Sequence, residues 1–105
     1  MIQSTAEVSK ENLRIISRYH MTGEQMQTEY EVVLQAKSDP EKFRSLYDTY
    51  YEPIFRFVYQ RLENKDLAFD TTSQVFLKAL TNLHKYEFKG VPFASWLYRI
   101  ARSEV

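Results

Sequence analysis

The chain has 105 residues, of which 44% are hydrophobic and 27% are charged, and its 14 basic side chains balance 14 acidic ones. This composition is typical of one small globular domain and excludes the low-hydropathy, high-charge class of disordered chains. With no cysteine there is no disulfide framework or thiolate metal site, and no signal peptide or membrane-spanning run is visible. We therefore expect a cytoplasmic domain that does not bind a membrane.

Helical periodicity recurs along the whole chain, beginning with two helices that capping boxes open. The first is expected over residues 5–19. Thr22 and Gln25 repeat the capping spacing and predict a second helix over residues 23–37. Its short inward face is predicted to consist of Tyr30, Val33, Leu34 and Lys37.

Asp39 and Pro40 mark the clearest boundary, because Asp39 can cap a helix that has Pro40 at its first position. Pro53 lies inside this helix and predicts a kink. The long apolar stripe that we expect to face the core consists of Phe43, Leu46, Tyr47, Tyr50, Ile54, Phe57, Val58 and Leu62.

A polar break at residues 63–66 precedes another predicted helix, over residues 67–84. Its buried face is predicted to be Phe69, Phe76, Leu77, Leu80 and Leu83. Residues 86–91 are expected to form a loop with Gly90 in the left-handed conformation. Pro92 then opens a last helix with Phe93, Leu97 and Ile100 on its core face, and no terminating signal follows it.

The chemistry-bearing residues do not favour an enzyme, a metal site or a cofactor site. His20 and His84 lack His or Cys neighbours at metal-ligand spacing. Asp66 and Asp70 share one helix face, but such a pair is more often solvated surface than a ligand set. No glycine-rich phosphate loop or nucleophile elbow is present. We therefore expect no catalysis, no cofactor and no metal.

Residues 85–102 interleave cations and aromatic rings, which is the mixture that single-stranded nucleic acid requires. Tyr86, Phe88 and Tyr98 are the expected exposed rings, whereas Trp96 is either core filler or a base contact. The alternative for the whole segment is ordinary core and ordinary surface. The residues predicted to bind single-stranded nucleic acid are Lys85, Tyr86, Phe88, Lys89, Trp96, Arg99 and Arg102.

Residues 39–105 resemble region 2 of RNA polymerase sigma factors, most closely the extracytoplasmic-function type. The matching segments are FRSLY (43–47), YYEPI (50–54), AFD (68–70), VFLKAL (75–80) and FASWLYRIAR (93–102). The last segment, at a family-like distance after VFLKAL, is the most specific. The chain differs from the usual family pattern at Phe69, Ser73 and Gln74.

The resemblance implies an all-α bundle of about five helices that binds the −10 element and melts promoter DNA within an alternative sigma factor. The implied partners are the β′ clamp helices of RNA polymerase core, the non-template strand and an anti-sigma factor. The segment that would dock on polymerase contains Asp70, Ser73, Gln74, Phe76 and Lys78.

The domain organisation follows from the same resemblance. Residues 1–38 are expected to form an N-terminal extension and the first bundle helices, and residues 39–105 the region 2-like core, truncated before a C-terminal domain. Residues 1–20 form either a surface helix or a lid over the DNA-facing side. The alternative function is a sigma-like interaction module that binds polymerase or an anti-sigma factor without reading DNA.

Overall fold

A computed structural model of the chain describes residues 21–105, and four α-helices account for most of them. The helices are α1 (Gly23–Ser38), α2 (Arg44–Leu62), α3 (Lys65–Thr81) and α4 (Phe93–Glu104). Short 3-10 turns at Pro40–Phe43 and Leu83–Lys85 join them, and no strand occurs within the described part. The predicted all-α class is confirmed, while the helix expected over residues 5–19 lies outside the described residues.

The helix ends follow the capping residues closely. Thr22 and Gln25 form the predicted capping box at α1, with hydrogen bonds of 2.9 and 3.0 Å. Asp39 accepts a hydrogen bond from the backbone N–H of Glu41, although the turn it caps is 3-10 rather than α. Asn64 caps α3 at 2.9 Å, so that helix begins at Lys65, two residues before the predicted start.

The core lies where α2 packs against α3 and α4, with α1 closing one side. The predicted stripe of α2 is largely confirmed, and α2 continues through Pro53. Its fully enclosed members are Leu46, Tyr50, Ile54 and Val58. On α4, Phe93 and Leu97 are buried as predicted, and Ile100 is partly buried.

The predicted buried face of α3 is wrong at three positions. Phe69, Leu77 and Leu80 are 42%, 56% and 36% exposed. The face that α3 turns inward consists of Ala68, Thr72, Val75, Phe76 and Ala79. Three of these five side chains, Ala68, Thr72 and Ala79, are small. The inward face therefore excludes several of the large apolar residues.

Two smaller predictions on exposure are also corrected. Leu34 of α1 and Tyr47 of α2 were expected in the core but are 44% and 37% exposed. Ala36 takes the inward position on α1 beside Val33.

None of the helices over residues 21–105 has the combined length and hydropathy that a membrane span requires.

Candidate nucleic-acid interface

A small pocket lies between residues 85–92 and the first turns of α4. Its volume is about 120 Å³. Five of the seven residues predicted to bind DNA line it, so the structure brings most of that set together. The lining residues are Lys85, Tyr86, Glu87, Lys89, Val91, Pro92, Ser95, Trp96 and Arg99.

The pocket carries a net positive charge. Lys85, Lys89 and Arg99 are all exposed, and none of them forms an ion pair with another residue of 21–105. Glu87 is the single carboxylate among the described lining residues. Cations whose charge is not neutralised by neighbouring carboxylates remain able to bind phosphate groups.

The basic surface extends beyond the pocket along α4. Arg102 is exposed and lies one turn after Arg99 on the same helix. Residues three apart on a helix are neighbours on its surface. The two guanidinium groups can therefore contact successive phosphates of a nucleic-acid strand that leaves the pocket along α4.

The aromatic rings of this segment are less exposed than the sequence predicts. Tyr86 and Tyr98 are only 6% and 7% exposed, so the expectation that both rings face solvent is wrong. The ring of Tyr86 packs 5.1 Å from Phe93 and 5.1 Å from Trp96, measured between ring centroids. Tyr86 thus lines the pocket while most of its ring is packed against these two aromatic side chains.

Phe88 and Tyr98 also rest on other helices. Phe88 is partly buried and stacks on Tyr30 of α1, with ring centroids 5.1 Å apart and an interplanar angle of 21°. Tyr98 meets the edge of Phe57 at 5.2 Å. Neither ring lines the pocket. Of the aromatic residues in this segment, Tyr86 and Trp96 therefore form part of the pocket wall, whereas Phe88 and Tyr98 pack against other helices.

Trp96 combines the two alternatives that the sequence left open. Its indole packs against the core at Phe93, 5.4 Å between centroids, and is partly buried. The same ring also lines the pocket. A half-buried ring of this kind has a fixed orientation and still presents surface on which a base can stack.

Burial raises the pKa of the Tyr86 hydroxyl from 10.0 to about 12, and the Glu29 carboxylate and Tyr30 add to the increase. Tyr86 is therefore a neutral phenol at physiological pH. A raised pKa means that the folded state binds this proton more tightly than the unfolded state does. The resulting stabilisation is complete below pH about 10 and is lost as the pH rises from about 10 to about 12.

Tyr86→Phe is expected to make the free energy of unfolding less dependent on pH between about 10 and about 12, because it removes the buried phenol. Urea unfolding across that interval measures the effect. Tyr59→Phe is the control, since it removes a phenol that is 43% exposed. Equal alkaline losses in the wild type and the Tyr86 variant would contradict the prediction.

Two residues of α1 that bond to the pocket segment were not singled out by the sequence analysis. Lys37 donates a hydrogen bond from Nζ to the backbone carbonyl oxygen of Tyr86 at 2.8 Å. Glu29 accepts one from the backbone N–H of Phe93 at 2.9 Å and another from the Tyr50 hydroxyl. A signal was present for each, because Lys37 and Glu29 share the inward face of α1 with Val33 and Ala36.

The second predicted site occupies the outward face of α3. Asp70, Ser73 and Gln74 are exposed there, as a docking surface requires. Lys78 is exposed but pairs with Glu104 of α4. Leu77, one turn after Ser73, adds an apolar group that the sequence had assigned to the core.

Phe76 was predicted both to lie on the buried face of α3 and to contact polymerase, and the structure confirms its burial. It is 4% exposed, and its ring meets Tyr47 and Phe43 at 5.0 and 6.5 Å. A side chain enclosed in this way packs α3 against the start of α2.

Asp66 and Asp70 are both exposed on α3. Among the described residues no group of three His, Cys, Asp or Glu side chains is placed to bind a metal ion.

Comparison with known proteins identifies the family. Residues 46–105 match the family model of Sigma-70 region 2. The chain belongs to the sigma-70 region 2 family. Three helices, α2 to α4, fall almost entirely within the matched residues, whereas α1 precedes them.

Several curated relatives are extracytoplasmic-function (ECF) RNA polymerase sigma factors. BldN of Streptomyces coelicolor is 37% identical over 76 residues, which is 71% of this chain and 29% of the relative. SigW and SigX of Bacillus subtilis are 32% and 31% identical over 62% and 59% of this chain, and over 34% and 31% of their own lengths. This region 2 chain thus spans about a third of the relatives' length. No solved structure matches it significantly.

Proposed function

We propose that this region 2 domain binds the unwound non-template strand of a promoter −10 element, as part of an alternative sigma factor that directs RNA polymerase to initiate transcription. The observation that carries the proposal is the pocket beside α4, which is lined by Trp96 and by three exposed cations that form no ion pair within residues 21–105. Phosphates need cations, and an unpaired base needs a ring and a cavity. This pocket contains both the cations and the aromatic ring.

The proposed mechanism is capture of a base that has already left the duplex stack. Unstacking and unpairing a nucleotide costs a few kcal/mol, and stacking on an aromatic ring returns about 1–3 kcal/mol per base. Trp96 supplies that ring, while Lys85, Lys89, Arg99 and Arg102 contact the backbone phosphates. Binding only the opened strand shifts the melting equilibrium toward the open form.

Docking on polymerase would use the outward face of α3. Asp70, Ser73 and Gln74 form a polar surface beside the exposed Leu77, a combination that suits a helical partner such as the β′ clamp helices. Lys78 would contribute less, because its ammonium already pairs with Glu104.

A second candidate function is a protein-interaction module that binds polymerase or an anti-sigma factor without reading DNA. It is favoured by exposed aromatic rings where α2 meets α3, since Tyr59 and Phe69 are 43% and 42% exposed. Both rings stack on Phe55, at 5.9 and 4.6 Å. Exposed aromatic rings of this kind are frequent at protein interfaces.

Fluorescence anisotropy of a labelled single-stranded −10-like oligonucleotide, measured over a salt series, tests the proposal. We expect binding that weakens steeply with salt, and a Lys89→Ala variant whose logarithmic salt slope is smaller by about 0.7, the value for one lost phosphate contact. Lys42→Ala is the control, because Lys42 is exposed and does not line the pocket.

Two results would argue against strand capture. One is a wild-type chain that does not bind the oligonucleotide even at low salt but is retained by the β′ clamp helices, which would favour the interaction module. The other is a salt slope that decreases equally in the Lys42 and Lys89 variants. That result would mean that the strand is attracted by the general positive charge of the surface and not bound at the pocket.

A further inference from the structure

The pocket loop, residues 86–92, has little structure of its own. Residues 87–91 make no backbone-to-backbone hydrogen bond with any residue of the described chain. Gly90 has a φ of +77°, and a Cβ built there would meet nothing within 4 Å. A loop without a hydrogen-bond ladder samples many conformations unless other elements fix it.

The first contact that fixes the loop is at its beginning. Lys37, in the last turn of α1, donates its ammonium to the carbonyl oxygen of Tyr86 at 2.8 Å. This hydrogen bond is partly buried and joins residues 49 positions apart in the sequence. A hydrogen bond from a charged donor is stronger than one between neutral groups.

The second contact is at the end of the loop. Pro92 precedes α4 and provides no side-chain cap, so the helix has an uncapped amino terminus. The Glu29 carboxylate of α1 accepts the hydrogen bond of the Phe93 N–H, 64 positions away in the sequence. Its second oxygen accepts the Tyr50 hydroxyl, which fixes the carboxylate from α2. A negative group at a helix amino terminus is also favoured by the helix dipole.

The third contact is in the middle, where Phe88 stacks on Tyr30. Glu29, Tyr30 and Lys37 therefore contact the end, the middle and the beginning of one loop from a single helix. We call these three residues the α1 anchors. All three precede residues 46–105, the part of the chain that the family model matches.

We propose that α1 is the positioning element of the pocket: the α1 anchors hold residues 86–92 in the strand-binding conformation before DNA arrives. The nature of the ligand rests on the proposed function, whereas the anchoring itself does not. A loop held in place pays less ordering entropy on binding. If the competent fraction falls to about one tenth without the anchors, the apparent dissociation constant rises about tenfold.

The variants are chosen to remove one anchor each. Lys37→Met deletes the ammonium and keeps a long apolar side chain, and Glu29→Ala deletes both acceptor oxygens. Glu29→Gln is the rescue variant, because its amide oxygen can still accept the Phe93 N–H. Lys42→Met and Glu31→Ala are matched controls at exposed positions. Circular dichroism identifies any variant that fails to fold.

The first measurement uses Trp96, the single tryptophan of the sequence, as a reporter inside the pocket. Acrylamide quenching of its fluorescence in the free protein is expected to rise for Lys37→Met and Glu29→Ala, and to stay near wild type for Glu29→Gln and the controls. Unchanged quenching in both anchor variants would overturn the proposal. This measurement contains no DNA and is independent of the proposed function.

The second measurement is the anisotropy assay over the salt series. An anchor variant is expected to bind about tenfold more weakly with an unchanged salt slope, because no phosphate contact is lost. Increased quenching with wild-type affinity would overturn the positioning role. A wild-type chain that binds no oligonucleotide would refute strand capture instead, and the quenching result would still decide whether α1 holds the loop.

Discussion

Replacing Phe93 with alanine is expected to lower the free energy of unfolding by about 3–5 kcal/mol, the usual cost of deleting a buried phenylalanine ring. Phe93 is 1% exposed at the first position of α4. Its ring lies 5.1 Å from Tyr86, 5.4 Å from Trp96 and 6.3 Å from Tyr50. Because a small domain is stable by only about 5–15 kcal/mol, this one change removes a large part of the total.

Urea unfolding followed by far-ultraviolet circular dichroism measures the loss. Phe69→Ala is the matched control, because it deletes the same ring from the exposed side of α3, where the ring stacks on Phe55. That surface stack is worth about 1 kcal/mol. Equal losses in the two variants would contradict the burial that the structure assigns to Phe93 and Phe69.

The comparison of these two phenylalanines also shows what the sequence could predict. Spacing alone placed Phe93 and Phe69 in the core, and only Phe93 is there. The inward face of α3 is marked by Ala68, Thr72 and Ala79, whose small side chains carry little weight in a hydrophobic pattern. Which large residues stay outside depends on how closely the helices approach, and that is a tertiary property.

Helix ends were predicted more accurately than helix faces, because a cap is a local interaction. Thr22 bonds to a backbone group three residues away, and this cap was predicted from the sequence. Asn64 makes the same kind of bond, but it was assigned to the polar break, and the predicted start of α3 was two residues late. The burial of Tyr86 depends on contacts with another element, because Phe93 and Trp96 of α4 enclose its ring. A loop has no repeating hydrophobic pattern from which such burial could be predicted. Burial of a loop residue therefore needed the structure.

The candidate site divides in the same way. Its cations and Trp96 were predicted from an interleaved pattern within 18 consecutive residues, and the pocket brings most of them together. Lys37 and Glu29 contact the loop across 49 and 64 positions of sequence. The helical period places both on the inward face of α1, but it does not show which part of the chain they contact. The ligand-facing side chains were thus accessible from the sequence, and their support was not.

Removing the indole of Trp96 is expected to weaken binding of single-stranded DNA strongly without changing the salt dependence of that binding. Trp96→Ala deletes the ring on which the captured base is proposed to stack, and such stacking contributes about 1–3 kcal/mol per base. The apparent affinity for the single-stranded oligonucleotide should therefore fall about 5-fold to 150-fold. Since the indole carries no charge, the salt slope should equal that of the wild type.

Trp96→Phe separates stacking from packing, because a smaller ring keeps a stacking face beside Tyr86 and Phe93. We expect this variant to lose less affinity than Trp96→Ala, under about fivefold. Anisotropy of the labelled strand measures both variants, and circular dichroism confirms that each is folded. A folded alanine variant with wild-type affinity would exclude Trp96 as the stacking ring, and binding would then depend on the cations of the pocket and α4 alone.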